Sequence, residues 1–227
     1  MTLGSPRLHL REIGSTSDRA RELARAGAPH GTLVTTDHQV AGRGRQGRSW
    51  TTPARRALTM SLVLRGVPPM LPLAAGVAVA DAIGPAASIK WPNDILAAGR
   101  KVAGILAEGR PQEGWAVLGI GINVAVEPAD FPPELRDTAG TLGRPPEHVE
   151  VVLTGVLGAL EARLQHSPER LLDAWRARDA LAGRQVTWED GQGVAGGVDA
   201  AGRLLVRTPD GETVALDAGE VHLGGGF

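Results

Sequence analysis

Apolar positions along the chain switch between two periods, and the switches mark its elements. Residues 7–13 (RLHLREI) are apolar at alternate positions, as in a half-buried strand. Ser15, Thr16, Ser17 and Asp18 then offer caps to a short helix, RARELARAG, that Gly27 ends. Residues 32–39 (TLVTTDHQ) and 57–65 (ALTMSLVLR) predict strands. Between them Gly, Arg and Pro53 predict a loop without regular structure. After Pro68 and Pro69, LPLAAGVAVADAIG has the length and small residues of a buried helix. SIKW (88–91) predicts a strand edge, Pro92-Asn93-Asp94 a turn, and ILAAGRKVAGILAEG a hairpin tipped by Ala-Gly-Arg. A buried strand, WAVLGIGINVAV (115–126), precedes a Pro-rich loop reaching Pro146. HVEVVLTGVLGALEARLQ and PERLLDAWRARDALAG predict two amphipathic helices, the second started by Ser167-Pro168.

From Gly183 the character changes. Short β-type runs (QVTW, VAGGVDA, RLLVRT, ETVALD, GEVHL) alternate with Gly/Asp turns, the pattern of a small barrel. The expected organisation is one domain over 1–182 and a small β-barrel over 183–227, in an α+β fold.

Composition narrows the function classes. The 227 residues are 42% hydrophobic and 22% charged, ordinary for a soluble protein. A net charge of -1 argues against a general nucleic-acid or membrane-surface binder. Without cysteine, disulfides and thiolate chemistry are excluded. No apolar run reaches a membrane span and the N-terminus lacks a secretory layout, so a cytoplasmic protein is expected. Only two of the 24 basic residues are lysine, Lys90 and Lys101, and only two asparagines occur, Asn93 and Asn123. Coding bias explains the scarcity. It does not explain why all four fall between 90 and 123, where arginine and glutamine evidently cannot serve.

Residues 42–47 (GRGRQG) match G-x-G-x-x-G, yet RSWTTP cannot open a helix and no acid lies between Asp37 and Asp81. A dinucleotide site is therefore disfavoured, and no lysine follows a Gly-rich run as a P-loop requires. What is left is a loop whose amides and arginines (Arg43, Arg45, Arg48) can line an anion, or a solvated basic loop. Trp50 favours the first, because a large ring in a polar loop usually closes over something.

GRGRQGRSW (42–50), KWPND (90–94), RKVAGIL (100–106) and GIGIN (119–123), with the early Ser15-Thr16, resemble in order and spacing the biotin protein ligases, also called biotin–[acetyl-CoA-carboxylase] ligases. The resemblance covers essentially the whole chain. It implies a class II synthetase-like catalytic domain with a mixed central sheet and flanking helices, followed by an SH3-like barrel. It implies activation of biotin by MgATP to biotinyl-5′-AMP with release of pyrophosphate, and transfer to one lysine of a biotin carboxyl carrier protein of acetyl-CoA carboxylase. ATP and Mg2+ are co-substrate and metal, with no fixed protein metal site.

By the same resemblance Lys101 is the catalytic lysine, because a compact ammonium fits between a carboxylate and a phosphate where a planar guanidinium clashes. Arg45 shares the catalytic role. Ser15, Thr16, Ser17, Gln39, Gly42, Arg43, Gly44, Arg45, Lys101 and Gly104 are the expected biotin contacts. Arg45, Arg48, Trp50, Asn93, Asp94, Lys101 and Asn123 are the expected ATP or adenylate contacts. The roles of Asn93, Asp94 and Asn123 stay open between nucleotide and metal. Trp91 stays open between core and pocket wall, Lys90 between folding and ligand placement, and the barrel between positioning and capping.

The chain departs from the family pattern at Ser17, where asparagine is usual, and at 139–142 (AGTL), which matches Ala-Thr-Ser-Leu only loosely. The Ser-Thr motif at residue 15 leaves no room for an N-terminal winged helix-turn-helix, so neither DNA binding nor repression is expected. Homodimerisation through a sheet edge is an expectation of the resemblance. A lipoate or octanoyl ligase and a non-catalytic binding module are the rival readings.

Overall fold

Strands buried at almost every position are covered on both faces, and two segments of this chain, 57–65 and 115–123, are of that kind. In the computed structural model, which describes residues 2–217, 219 and 221–223, these are the central strands of a seven-stranded sheet. The chain runs β1 (Arg7–Ile13), α1 (Thr16–Arg25), β2 (Leu33–Gln39), β3 (Ala57–Arg65), α2 (Leu71–Ile83), β4 (Ala87–Lys90), β5 (Asp94–Ala97), β6 (Arg100–Arg110), β7 (Trp115–Asn123), α3 (Val149–Leu164) and α4 (Pro168–Arg176). The strand order is β1-β2-β3-β7-β6-β5-β4. Only β1 and β2 are parallel, which makes the sheet mixed as expected.

The helices divide between the faces. Helices α2 and α3 pack together and cover one face, where Leu58, Met60, Leu62, Leu118, Ile120 and Ile122 join the main core. Helix α1 covers part of the other face through Ala20 and Ala24 against Val34, Val63 and Val117. Side chains alternate along a strand, so the α1 face of β7 continues past Val117 as Gly119 and Gly121. Apolar cover therefore ends where α1 ends, and a bare trough begins there.

The small sheet follows, with β8 (Gln185–Trp188), β9 (Gly191–Val198), β10 (Leu204–Arg207), β11 (Thr213–Leu216) and β12 (His222–Leu223) in the order β11-β10-β9-β8-β12. All its pairings are antiparallel, consistent with an SH3-like unit. Positions 218, 220 and 224–227 of the expected barrel lie outside the described residues. The main core cluster runs on into this sheet through Val186, Ala195, Val198, Leu204, Val206 and Val221.

Two expectations are corrected. Helix α4 stops at Arg176 instead of continuing toward Gly183. The backbone beyond it is claimed by the edge of β4: Ile89 N donates to Arg178 O at 2.7 Å and Ala180 N to Ile89 O at 2.9 Å. The loop between β2 and β3 also holds a 3-10 turn at Arg45–Gly47, with the Arg48 N–H donating to Arg45 O at 3.1 Å. No described helix is long and apolar enough to cross a membrane.

Candidate active site

Strand register builds the floor of the trough. Thr59 pairs with Gly121, Gly121 with Gly104, and Gly104 with Asp94, so one row crosses four strands with two glycines at its centre. In the next row Ser61 pairs with Gly119 and Gly119 with Leu106. Missing side chains at 104, 119 and 121 leave an open cleft over this floor, with about 890 Å3 of empty space counting its solvent-filled mouth.

One end of the cleft is a neutral hydrogen-bonding cluster. Gln39 Oε1 accepts from Thr16 N at 2.8 Å and from Thr16 Oγ1 at 3.1 Å. The Ser61 hydroxyl lies 2.9 Å from Thr16 Oγ1 and 3.0 Å from Ser17 Oγ. All four residues are buried, and Gly119 leaves room for them, since a Cβ there would stand 2.7 Å from Ser17 Oγ. Ser15 also lines the cleft, but its hydroxyl caps α1 by accepting from Asp18 N at 3.4 Å. This end presents rotatable hydroxyls and an amide, suited to a polar uncharged head group.

The other end is cationic. Lys101 Nζ lies 2.7 Å from Asp94 Oδ1 and 5.9 Å from the centroid of the Trp50 ring. Its backbone is held by the Pro-rich loop, with Lys101 N donating to Thr138 O and Gly140 N to Lys101 O, both at 2.8 Å. Arg45 Nη1 donates to Asn93 Oδ1 at 3.3 Å, while Asn93 Nδ2 donates to Ile105 O at 3.0 Å. Burial pushes the Arg45 guanidinium down from its usual range; Asp94 opposes this and Arg48 adds to it. Burial likewise lowers Lys90, with Asp94 opposing and Lys101 and Arg48 adding. Burial and neighbouring cations that together disfavour the charged form of Lys90 are a setting that an incoming anion relieves.

Trp50 lies across the glycine floor. A Cβ on Gly121 would fall 2.5 Å from its Cε2, and one on Gly104 would fall 3.2 Å from its Cζ3. Its indole N–H is buried without a hydrogen-bond partner. The loop that carries it is closed on itself: Trp50 N donates to Gly42 O at 2.9 Å and Gly44 N to Arg48 O at 2.7 Å.

Most of the expected residues meet at this cleft: Ser15, Thr16, Ser17 and Gln39 at the neutral end, Arg45, Arg48, Asn93, Asp94 and Lys101 at the charged end, Gly104 in the floor beside Lys101, and Arg43, Gly44 and Trp50 in the loop that walls it. Two stand apart. Gly42 sits behind the wall, where a Cβ would collide with Trp50 O at 2.2 Å and Gln39 Nε2 at 2.3 Å. Asn123 Nδ2 donates to Gly140 O at 2.8 Å, which holds the loop beside Lys101, and its Oδ1 is buried without a partner. The Arg43 guanidinium is engaged by Glu108 at 2.8 Å and Asp18 at 3.3 Å. Trp91 is both core and wall, 2% exposed, with Nε1 donating to Gly202 O at 3.1 Å. Ser61 is missed by sequence reasoning, because no local signal marks it. The G-x-G of 119–121 marks Gly119 and Gly121, like Gly104, as positions where backbone can approach a ligand closely, and the scarcity of lysine singles out Lys90 without deciding between folding and ligand placement.

Comparisons with known proteins bear on the family and the fold. The family model described as "Biotin/lipoate A/B protein ligase family" matches residues 11–125, and "Biotin protein ligase C terminal domain" matches 182–224. A biotin protein ligase from Aquifex aeolicus, solved in complex with biotin and ATP, superposes with a TM-score of 0.80 at 28% identity, over 97% of this chain and 99% of that one. The biotin–[acetyl-CoA-carboxylase] ligase of Mycobacterium tuberculosis is 35% identical over 93% of this chain and 87% of its own length. The bifunctional ligase/repressor BirA of Bacillus subtilis is 46% identical over 58% of this chain, and the match spans only 44% of that relative. With the family model covering half of the chain and a relative aligned nearly end to end, this chain belongs to the biotin/lipoate A/B protein ligase family.

Proposed function

We propose that this protein is an ATP-dependent biotin ligase that biotinylates a carrier protein of acetyl-CoA carboxylase. The observation that carries the reading is the polarity of the cleft: a neutral, buried hydrogen-bonding end and a cationic end share one glycine floor. A ureido head group suits the first, and a carboxylate meeting a triphosphate suits the second.

In the first step a biotin carboxylate oxygen attacks the α-phosphorus, the bond to the bridging oxygen breaks, and pyrophosphate leaves. Mg2+ enters with the nucleotide. Lys101, braced by Asp94 at 2.7 Å, supplies a point charge between the two anions. Arg45 and Arg48 face the phosphates from the loop, joined by Lys90 from the floor, and Trp50 with Asn93 bounds the nucleotide side. Thr16, Ser17 and Gln39 hold the biotin head; Ser15, Gly42, Arg43 and Gly44 shape the walls around it, and Asn123 supports the nucleotide end. In the second step the carrier lysine amine attacks the acyl carbon and AMP departs. We read 1–182 as the catalytic unit and 183–227 as the small domain, in a cytoplasmic enzyme. The open edge of β1 is the surface on which a second copy would form a homodimer.

The test is exchange of labelled pyrophosphate into ATP with biotin, lipoate or octanoate as the acid. Exchange with biotin alone is expected. Exchange with lipoate or octanoate and none with biotin would overturn the substrate assignment.

A further inference from the structure

The loop that walls the cleft is tied to the body of the protein by an ionic contact the proposed chemistry does not use. Arg43 reaches out of the loop stem to two carboxylates from different elements: Glu108 of β6, whose Oε1 is 2.8 Å from Nη2, and Asp18 of α1, whose Oδ1 is 3.3 Å from Nη1. Arg21 of α1 braces both acids, contacting Asp18 Oδ1 and lying 3.2 Å from Glu108 Oε1. Two acids and two arginines thus alternate in a neutral ring. Glu108 is only 24% exposed, beside Val117 in the sheet register, and its Oε2 is buried without a hydrogen-bond partner. That second oxygen leaves an acceptor in reserve for a forked pairing with the guanidinium.

The stem transmits whatever Arg43 is tied to. Arg43 and Ser49 are bridged, and Gly42 and Trp50 are hydrogen-bonded at 2.9 Å, so fixing Arg43 orients Arg45, Arg48 and Trp50 together. Neutralising Arg43 also leaves its neighbours as the loop's charges for the ligand.

We propose that Glu108, seconded by Asp18, is a positioning residue that anchors loop 42–50 over the cleft through Arg43 and so governs how long the acyl-adenylate is retained. The retention half of this inference rests on the ligase reading; the anchoring half does not. Two measurements separate them: hydrogen exchange of amides 42–50 in the ligand-free protein, and the dissociation rate of preformed biotinyl-AMP.

Glu108→Gln and Arg43→Gln are each expected to raise both rates about fivefold, as for loss of a partly buried charged contact. The double variant should match the larger single effect, because one residue acts through the other. Asp18→Asn moves both rates the same way, which guards against a folding defect peculiar to Glu108→Gln. Arg21→Gln breaks the same ring without touching the loop and should change exchange by less than about twofold. Unchanged loop exchange in Glu108→Gln would overturn the proposal. So would multiplicative effects in the double variant, or an Arg21→Gln effect equal to that of Glu108→Gln. If the wild type forms no biotinyl-AMP, the ligase reading fails while loop exchange still decides the anchor.

Discussion

Replacing Gly121 with alanine adds a single methyl group at the centre of the cleft floor. That methyl would stand 2.5 Å from Trp50 Cε2, 2.7 Å from Nε1 and 2.8 Å from Cζ2. Carbon atoms pack best at roughly 3.5–4.0 Å, so the indole must withdraw by about 1 Å. It cannot slide along the floor without losing its seat on Gly104, where Cζ3 is already 3.2 Å from a Cβ position. It moves outward instead and draws the closed stem with it, including Arg45 and Arg48. A misplacement of about 1 Å in a reacting geometry costs about 100-fold in rate. The fold should suffer less, since the ring moves into the open cleft rather than into packed core. The expected result is biotin-dependent pyrophosphate exchange lowered about 100-fold, with Tm lowered by a few degrees at most. The control is the pair Trp50→Ala and Trp50→Ala/Gly121→Ala. With the ring gone the three closest contacts of the methyl go with it, and the two should exchange within about twofold of each other. An equal loss from Gly121→Ala in both backgrounds would refute the account based on Trp50.

Lys101→Ala should slow adenylate formation by about 100-fold or more, read by single-turnover kinetics, because the charge between two anions is removed. Lys101→Arg keeps the charge but not its shape, and should stay well below wild type; full activity would refute the point-charge argument. Burial raises the Asp179 carboxyl above its ordinary value, against backbone donors at Leu181 and Ala182, and one of its oxygens is buried without a partner. The folded state then holds this proton more tightly than the unfolded state. Stability from the site is full below the unfolded carboxyl range and is lost as pH rises through the folded value. Asp179→Asn keeps an acceptor for Leu181 N, now at 2.8 Å. Its Tm should exceed that of wild type by a few degrees at neutral pH and converge with it near about pH 3. A gap independent of pH would refute the assignment.

What could be read from the sequence was whatever local pattern determines. Alternation and apolar runs placed nearly every strand of both sheets, and Gly and Pro placed the turns. The cleft was legible because its parts are runs: the G-x-G of 119–121, Lys101 and Gly104 within RKVAG, and the arginines of 42–50. Contacts made only by the folded chain were not legible. Nothing local connects Arg43 to Glu108, 65 residues away, or places Trp50 on Gly121. Helix α4 was overextended because PERLLDAWRARDALAG keeps helical composition past Arg176, while the hydrogen bonds that divert it come from β4. Asn123 resembles a ligand contact in sequence, while in the fold its Nδ2 donates to Gly140 O.

The bond from Trp91 Nε1 to Gly202 O joins a wall of the cleft to the small sheet, and one apolar cluster fills the space beneath both. The two parts should therefore melt as a single cooperative unit in calorimetry, not in separate steps. Severing the chain at residue 182 would strip Trp91 of its partner at Gly202, so trimming the small sheet should loosen that wall of the cleft. Variation in that sheet, however remote in sequence, reaches the cleft through the wall it supports.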